Sequence, residues 1–253
     1  MKLRVTLFLK YFATWVIILL LFKLLFILYY IGEFHTIRFT DYLLIFVYGL
    51  KLDLSLAAYI VIFPILTFIV LFWENHHLDL KILQVYTTVV LLLITTLYVI
   101  DLALYNFWQY RLDYTAFQYL DTPSEMLANL RWYHFFILAG ALFVAYLLCC
   151  KILFNKMINS VKKVPGKGGW LSAVVFLFIL AALSLPIRGG YGSSTLNTGT
   201  AYFHKDIIVN HAAINPVWNL IYSLTEKHDR EYKLEFFNDE REAHLLQDLQ
   251  QPA

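Results

Sequence analysis

"YLLIFVYGLKLDLSLAAYIVIFPILTFIVLFW", residues 42–73, decides the fold. Its only charged residues are Lys51 and Asp53. As one helix it would reach ~48 Å at 1.5 Å per residue, whereas the hydrocarbon of a bilayer is ~30 Å thick and takes about 20 residues to cross. Counting back from Trp73 as an interfacial anchor sets Asp53 near the far boundary. Residues 42–52 are then expected as an interfacial lead-in or a strongly tilted extension. Pro64 lies inside the stretch, where a kink is tolerated in membrane helices.

Working outward, four further apolar runs have span length: 11–31, interrupted by Lys23, then 82–100, 132–150 and 170–186. The 253 residues are 60% hydrophobic and only 15% charged, with a mean hydropathy of +0.63. A soluble domain carries about a quarter charged residues. The expected fold is therefore all-α, a polytopic membrane protein of five transmembrane helices over residues 1–187, with a short extracytoplasmic tail over 188–253. The first run is too long for a signal-peptide core and no small-residue cleavage site comes after it, so it is read as a retained span. A net charge of +2 is too small, and too scattered along the chain, to suggest nucleic-acid binding, so no nucleic-acid partner is expected.

Lysine and arginine in the short loops set the orientation. With the N-terminus cytoplasmic, the inside segments hold Lys2, Arg4, Lys10, Lys81, Lys151, Lys156, Lys162, Lys163 and Lys167, against Arg38, Arg111 and Arg131 outside. This asymmetry predicts N-terminus in and C-terminus out. Trp73, Trp132 and Trp170 stand near the ends of apolar runs, as belt aromatics do. Cys149 and Cys150 then fall at the cytoplasmic end of the fourth run, where thiols stay reduced. The tail has no cysteine.

The tail opens with "RGGYGSSTLNTGT" (188–200), a Gly/Ser/Thr-rich stretch expected as loop. Asn215-Pro216 is a helix start, Asn as N-cap and Pro at the first helical position. Val217, Leu220, Ile221 and Leu224 then recur at helical spacing, with Trp218 flanking, which predicts a surface helix over 216–227 with Leu220, Ile221 and Leu224 buried. A second short helix is expected from Asp239. So small a segment buries little core alone, and it is expected on the membrane surface or against a partner domain. In this reading Asn210, Asn215, Pro216 and Trp218 mark the joint between the membrane region and a further extracytoplasmic domain.

Charge near hydrocarbon is costly and therefore informative. Lys51, Asp53, Asp101 and Arg111 all fall at the outer level of the predicted spans. They are the candidate cluster for gripping a lipid headgroup or docking a domain, with interfacial anchoring and inter-helix ion pairs as the plainer alternative. Lys23 is explained by snorkelling or a polar bundle contact. The histidines lack the paired spacing of a zinc site. "GYGSS" (190–194) fits neither a nucleophile elbow nor a phosphate loop, and "HKD" at 204–206 is contiguous.

With this layout, "YGLKLDLS" (48–55), Asp101 after the third run, and "LPIRGGYGSSTLNTGTAYFHKDIIVNHAAINPVWNLIYSL" (185–224) resemble the N-terminal membrane region of the lipoteichoic acid synthase-like family. That family includes phosphoglycerol transferases with a sulfatase-type, alkaline phosphatase-like catalytic domain. The resemblance implies a bacterial cytoplasmic membrane, phospholipid headgroups as partners, and a catalytic domain beyond the tail. There a threonine beside a divalent metal (Mn or Mg) would attack the headgroup phosphate. No Glu-Ser or Asp-His-Gly of that metal site occurs here, so no catalytic, cofactor-binding or metal residue is carried over. The chain is expected to be the membrane anchor and lipid-presenting part of such an enzyme, inactive by itself. Phosphoethanolamine transferases share the plan and stay open as an alternative, as does a small non-enzymatic transporter or assembly protein.

Overall fold

The computed structural model describes residues 2–34, 37–70, 76–118, 170–192 and 194–231, with Gly140, Phe143 and Leu147. All regular structure among them is helical: α1 (Lys2–Tyr29), α2 (Phe39–Val70), α3 (His76–Trp108), α4 (Thr115–Gln118), α5 (Trp170–Ala182), α6 (Ser184–Arg188), α7 (Ile207–Ala213) and α8 (Pro216–Glu231). Short 3-10 turns cover Ile31–Glu33 and Thr198–Ala201. Four segments are long and apolar enough to cross a membrane: Arg4–Tyr29, Phe39–Thr67, Lys81–Trp108 and Trp170–Arg188. The run at 132–150 and the helix expected from Asp239 lie outside the described residues.

Helix α2 is unbroken through residues 42–52 and past Pro64. Proline lacks the N–H that would reach the Ile60 carbonyl one turn back. The Tyr86 hydroxyl of α3 supplies the missing donor, bonding the Ile60 oxygen at 2.7 Å. Phe63 stacks on the same tyrosine ring with centroids 4.6 Å apart, at the close end of favourable aromatic pairing. The proline is thus tolerated because its orphan acceptor has a partner on the neighbouring helix.

Helix α1 lies against both α2 and α3. Phe22 stacks on Tyr98 with centroids 4.5 Å apart, and the Tyr11 and Thr87 hydroxyls are bonded at 2.9 Å. Phe8 meets Phe176 of α5 edge-on. Trp15, Leu19 and Phe26 are fully enclosed. In lipid, apolar burial alone gives little drive for helices to associate, so packing and inter-helix hydrogen bonds of this kind, each about 1 kcal/mol, hold the bundle. The fifth-span segment is two helices with a break at Leu183, because Pro186 cannot donate to the Ala182 carbonyl.

Two expectations need correcting. Asp101 does not close the third span: α3 continues two turns beyond it to Trp108, and Gln109 ends it with a φ of 58°. An acid can sit inside the helix there because Arg111 folds back onto it. Residues 209–218 of the tail, expected on the membrane surface or against a partner domain, are instead part of the core. After Gly189 (φ 90°) turns the chain, residues 209–218 are buried against α1 and α2. This stretch of the tail obtains its burial from the bundle.

Candidate functional site

Four helices bring charge to one layer. Measured from Arg4, Thr67, Lys81 and Trp170, one end of each candidate span, the positions Lys23, Asp53, Asp101 and Arg188 lie about 14–20 residues along their segments. That is roughly 21–30 Å of helix, comparable to the ~30 Å of a bilayer's hydrocarbon.

At the centre of the layer, Lys23 Nζ donates to Asp53 Oδ2 at 2.6 Å, both side chains at most 1% exposed. The other carboxylate oxygen, Oδ1, accepts from Asn215 Nδ2 at 2.8 Å. Asn215 therefore works in two directions. Its Oδ1 accepts from the Val217 and Trp218 amides, both at 3.1 Å, capping α8 behind Pro216. Its amide nitrogen meanwhile completes the shell of Asp53. Trp218 extends the network: its Nε1 donates to Ser55 Oγ at 3.0 Å, and that hydroxyl donates to the Ile187 carbonyl at 3.1 Å. Gly49, one turn before Asp53, leaves room for this arrangement; a Cβ there would land on Lys23 Nζ and the Ala213 carbonyl oxygen.

A second buried pair stands beside the first. Arg111 Nη2 lies 3.0 Å from Asp101 Oδ2, and Asp101 Oδ1 accepts the Leu112 amide at 2.8 Å. The guanidinium sits over the Phe26 ring, 4.0 Å from its centroid, where the π face attracts a desolvated cation. Arg111 Nε and Nη1 are buried without a hydrogen-bond partner among the described residues. Phe26 also touches Tyr105, whose hydroxyl is 3.0 Å from His211 Nδ1. Burial, then the nearby Arg111 charge, pushes the His211 imidazole down to about 4, so it is neutral at pH 7. Helix α8 holds this side too, since Asn219 Nδ2 donates to the Leu112 carbonyl and Ser223 Oγ accepts the Tyr114 amide.

Of the residues singled out from sequence, Asp53, Asp101 and Arg111 are all buried in these two pairs, whereas Lys51 is exposed. Two residues on a helix differ by about 200° in direction, so Asp53 facing inward sends Lys51 outward. Lys23 is the cation that completes the set. Asn210 holds the loop before α7: its Oδ1 accepts the Phe203 and His204 amides and its Nδ2 donates to the His204 carbonyl. Pro216 and Trp218 are buried within the network. The buried face of α8 is Val217, Trp218 and Leu220, with Leu220 as expected; Ile221 and Leu224, also expected to be buried, are 47% and 43% exposed. The Trp218–Ser55 and Asn219–Leu112 bonds set the roll of the helix. A cavity of about 390 Å³ opens at the same level, lined by Tyr59, Arg188, Thr195, Trp218 and Tyr222 among others.

What the geometry defines is a helical bundle of membrane-span dimensions with a sealed polar centre and a tail locked into it. No protein-family model and no solved structure matches the chain significantly. Among the described residues no three His, Cys, Asp or Glu side chains are placed to hold a metal ion.

Proposed function

We propose that this chain is the membrane region of a lipoteichoic acid synthase-like phospholipid-headgroup transferase, anchoring the enzyme and presenting its lipid. One observation carries the reading. The two stretches that bear the resemblance, 48–55 and 185–224, are bonded to each other through Asp53–Asn215, Ser55–Trp218 and Ser55–Ile187. Motifs distant in sequence thus form one structural unit, the seat from which a catalytic domain would rise.

On this reading the charged layer lies at the outer face of the bacterial cytoplasmic membrane, and the N-terminus is cytoplasmic. The divalent metal and the threonine nucleophile would belong to the domain beyond the tail, and the residues here would hold and present the lipid. Past the layer, Phe39, Leu43 and Val47 form an exposed apolar stripe on one face of α2, available for that domain to cover. Phosphoglycerol is favoured over phosphoethanolamine by the resemblance alone.

Reading the coding region past the Ala253 codon tests the proposal. In-frame continuation into a domain with a Glu-Ser metal site is expected, and the full-length protein should then release diacylglycerol from phosphatidylglycerol with Mn2+. A stop codon directly after Ala253 would sink the enzyme reading. Release from phosphatidylethanolamine instead would move the headgroup assignment to the sister family.

A further inference from the structure

The cavity beside the charged layer has a composition that defines a ligand class. Among the described residues its walls hold a single charged residue, Arg188, and no carboxylate. Arg188 is exposed and makes no ion pair among the described residues. Its backbone is nonetheless fixed. The Leu196 amide donates to the Arg188 carbonyl at 3.1 Å, the neighbouring Ile187 carbonyl takes the Ser55 hydroxyl, and Gly189 turns the chain against Leu196. Facing it are Trp218 and Tyr222, stacked at 5.0 Å and 13°, together with the hydroxyl-bearing Tyr59 and Thr195.

We propose that this cavity binds the phosphate of a membrane phospholipid, with Arg188 as the phosphate-recognising residue. The proposal rests on the transferase reading and names where the substrate's headgroup would be held. A guanidinium offers paired N–H donors that match phosphate oxygens, and the hydroxyls of Tyr59 and Thr195 suit a polyol or the remaining oxygens. A volume of about 390 Å³ falls in the range of small-molecule sites, about 300–1,000 Å³. Position argues for a lipid as the source. Arg188 is the last residue of the Trp170–Arg188 span, Leu177 and Phe178 of that span are exposed on its flank, and Ile221 at the cavity rim is exposed as well. An aromatic and arginine pocket at the end of an apolar helix lies at the level of lipid headgroups.

The test is native mass spectrometry of the full chain in non-ionic detergent, titrated with dihexanoylphosphatidylglycerol. One saturable adduct is expected. Arg188→Gln should weaken it about tenfold or more, the scale of one lost charge-assisted contact. Arg188→Lys, which keeps the charge, should recover part of that loss. Because Arg188 is exposed, melting of both variants should match the parent. Dihexanoylglycerol, which lacks the phosphate, should give no saturable adduct, and glycerol 1-phosphate should bind far more weakly than the lipid. Equal binding of dihexanoylglycerol, or an unchanged affinity in Arg188→Gln, overturns the phosphate assignment. Equal binding of glycerol 1-phosphate makes the site one for a soluble phosphate and overturns the lipid assignment. Headgroup transfer by the full-length protein is read separately: transfer without this adduct rejects the site and leaves the enzyme reading standing, and the reverse result does the opposite.

Discussion

Replacing Asp53 with Asn tests the polar centre most directly. The side chain keeps its shape, but Lys23 loses its counter-charge inside a bundle where its own side chain is 1% exposed. Breaking a buried pair by removing one partner costs about 3–5 kcal/mol, because the remaining charge stays desolvated. The new amide must also face the Asn215 amide, whose donor needs the Asp53 Oδ1 acceptor. In a domain of this size about 2–4 °C of melting temperature corresponds to each kcal/mol, so a loss of ~6–20 °C is expected in detergent. Lys23→Met alone should be comparably damaging. The double variant Lys23→Met/Asp53→Asn should recover most of the loss, with a coupling energy of about 2 kcal/mol or more. Melting by intrinsic fluorescence of the four proteins closes the cycle. Single losses under about 1 kcal/mol that simply add would refute the ion pair as the centre of the fold.

Gly49→Ala should expel the tail, since a Cβ meets Lys23 Nζ and the Ala213 carbonyl; limited proteolysis within 207–219 should become fast while α1–α3 stay protected, and unchanged protection would reject the close approach. Tyr86→Phe leaves the Ile60 carbonyl without the donor that replaces the missing proline amide and should cost about 1 kcal/mol; the same change in a Pro64→Ala background should cost measurably less. His211 binds its proton near pH 4 when folded and near 6.5 when unfolded. The unfolded chain therefore holds more protons between those values, and stability is full above pH 6.5 and falls as pH drops towards 4. At pH 5 the loss, reduced for solvent screening, is on the order of 1–2 kcal/mol. His211→Asn should flatten the melting profile over that window, and an equally steep profile would count against the histidine.

Helix positions are legible because composition and length suffice for them: four of the apolar runs correspond to helices of span length, and Asn215-Pro216 announces its cap locally. What binds the helices together is not, for reasons that differ from residue to residue. Lys23 and Asp53 are 30 residues apart and Asp53 and Asn215 are 162 apart, so no local pattern links them. Depth groups Lys51 with Asp53, yet the phase of the helix sends the two in opposite directions. Asp101 looks terminal because an isolated acid in a span is costly, and its remedy, Arg111, comes only after a turn. Ile221 and Leu224 fit the apolar periodicity, but the roll of α8 is decided by polar bonds from Trp218 and Asn219.

The double bonding of Asp53 also imposes an order on biogenesis. Lys23 is already made when Asp53 leaves the ribosome, so the first two helices can neutralise each other as a hairpin. The second oxygen must wait for Asn215, another 162 residues later, which at about 5–20 residues per second is roughly 8–30 s of synthesis. During that interval the carboxylate oxygen Oδ1 lacks its Asn215 donor. Synthesis of Asn215 supplies that missing donor, so the buried polar centre has its full set of partners only once the chain has been made as far as residue 215.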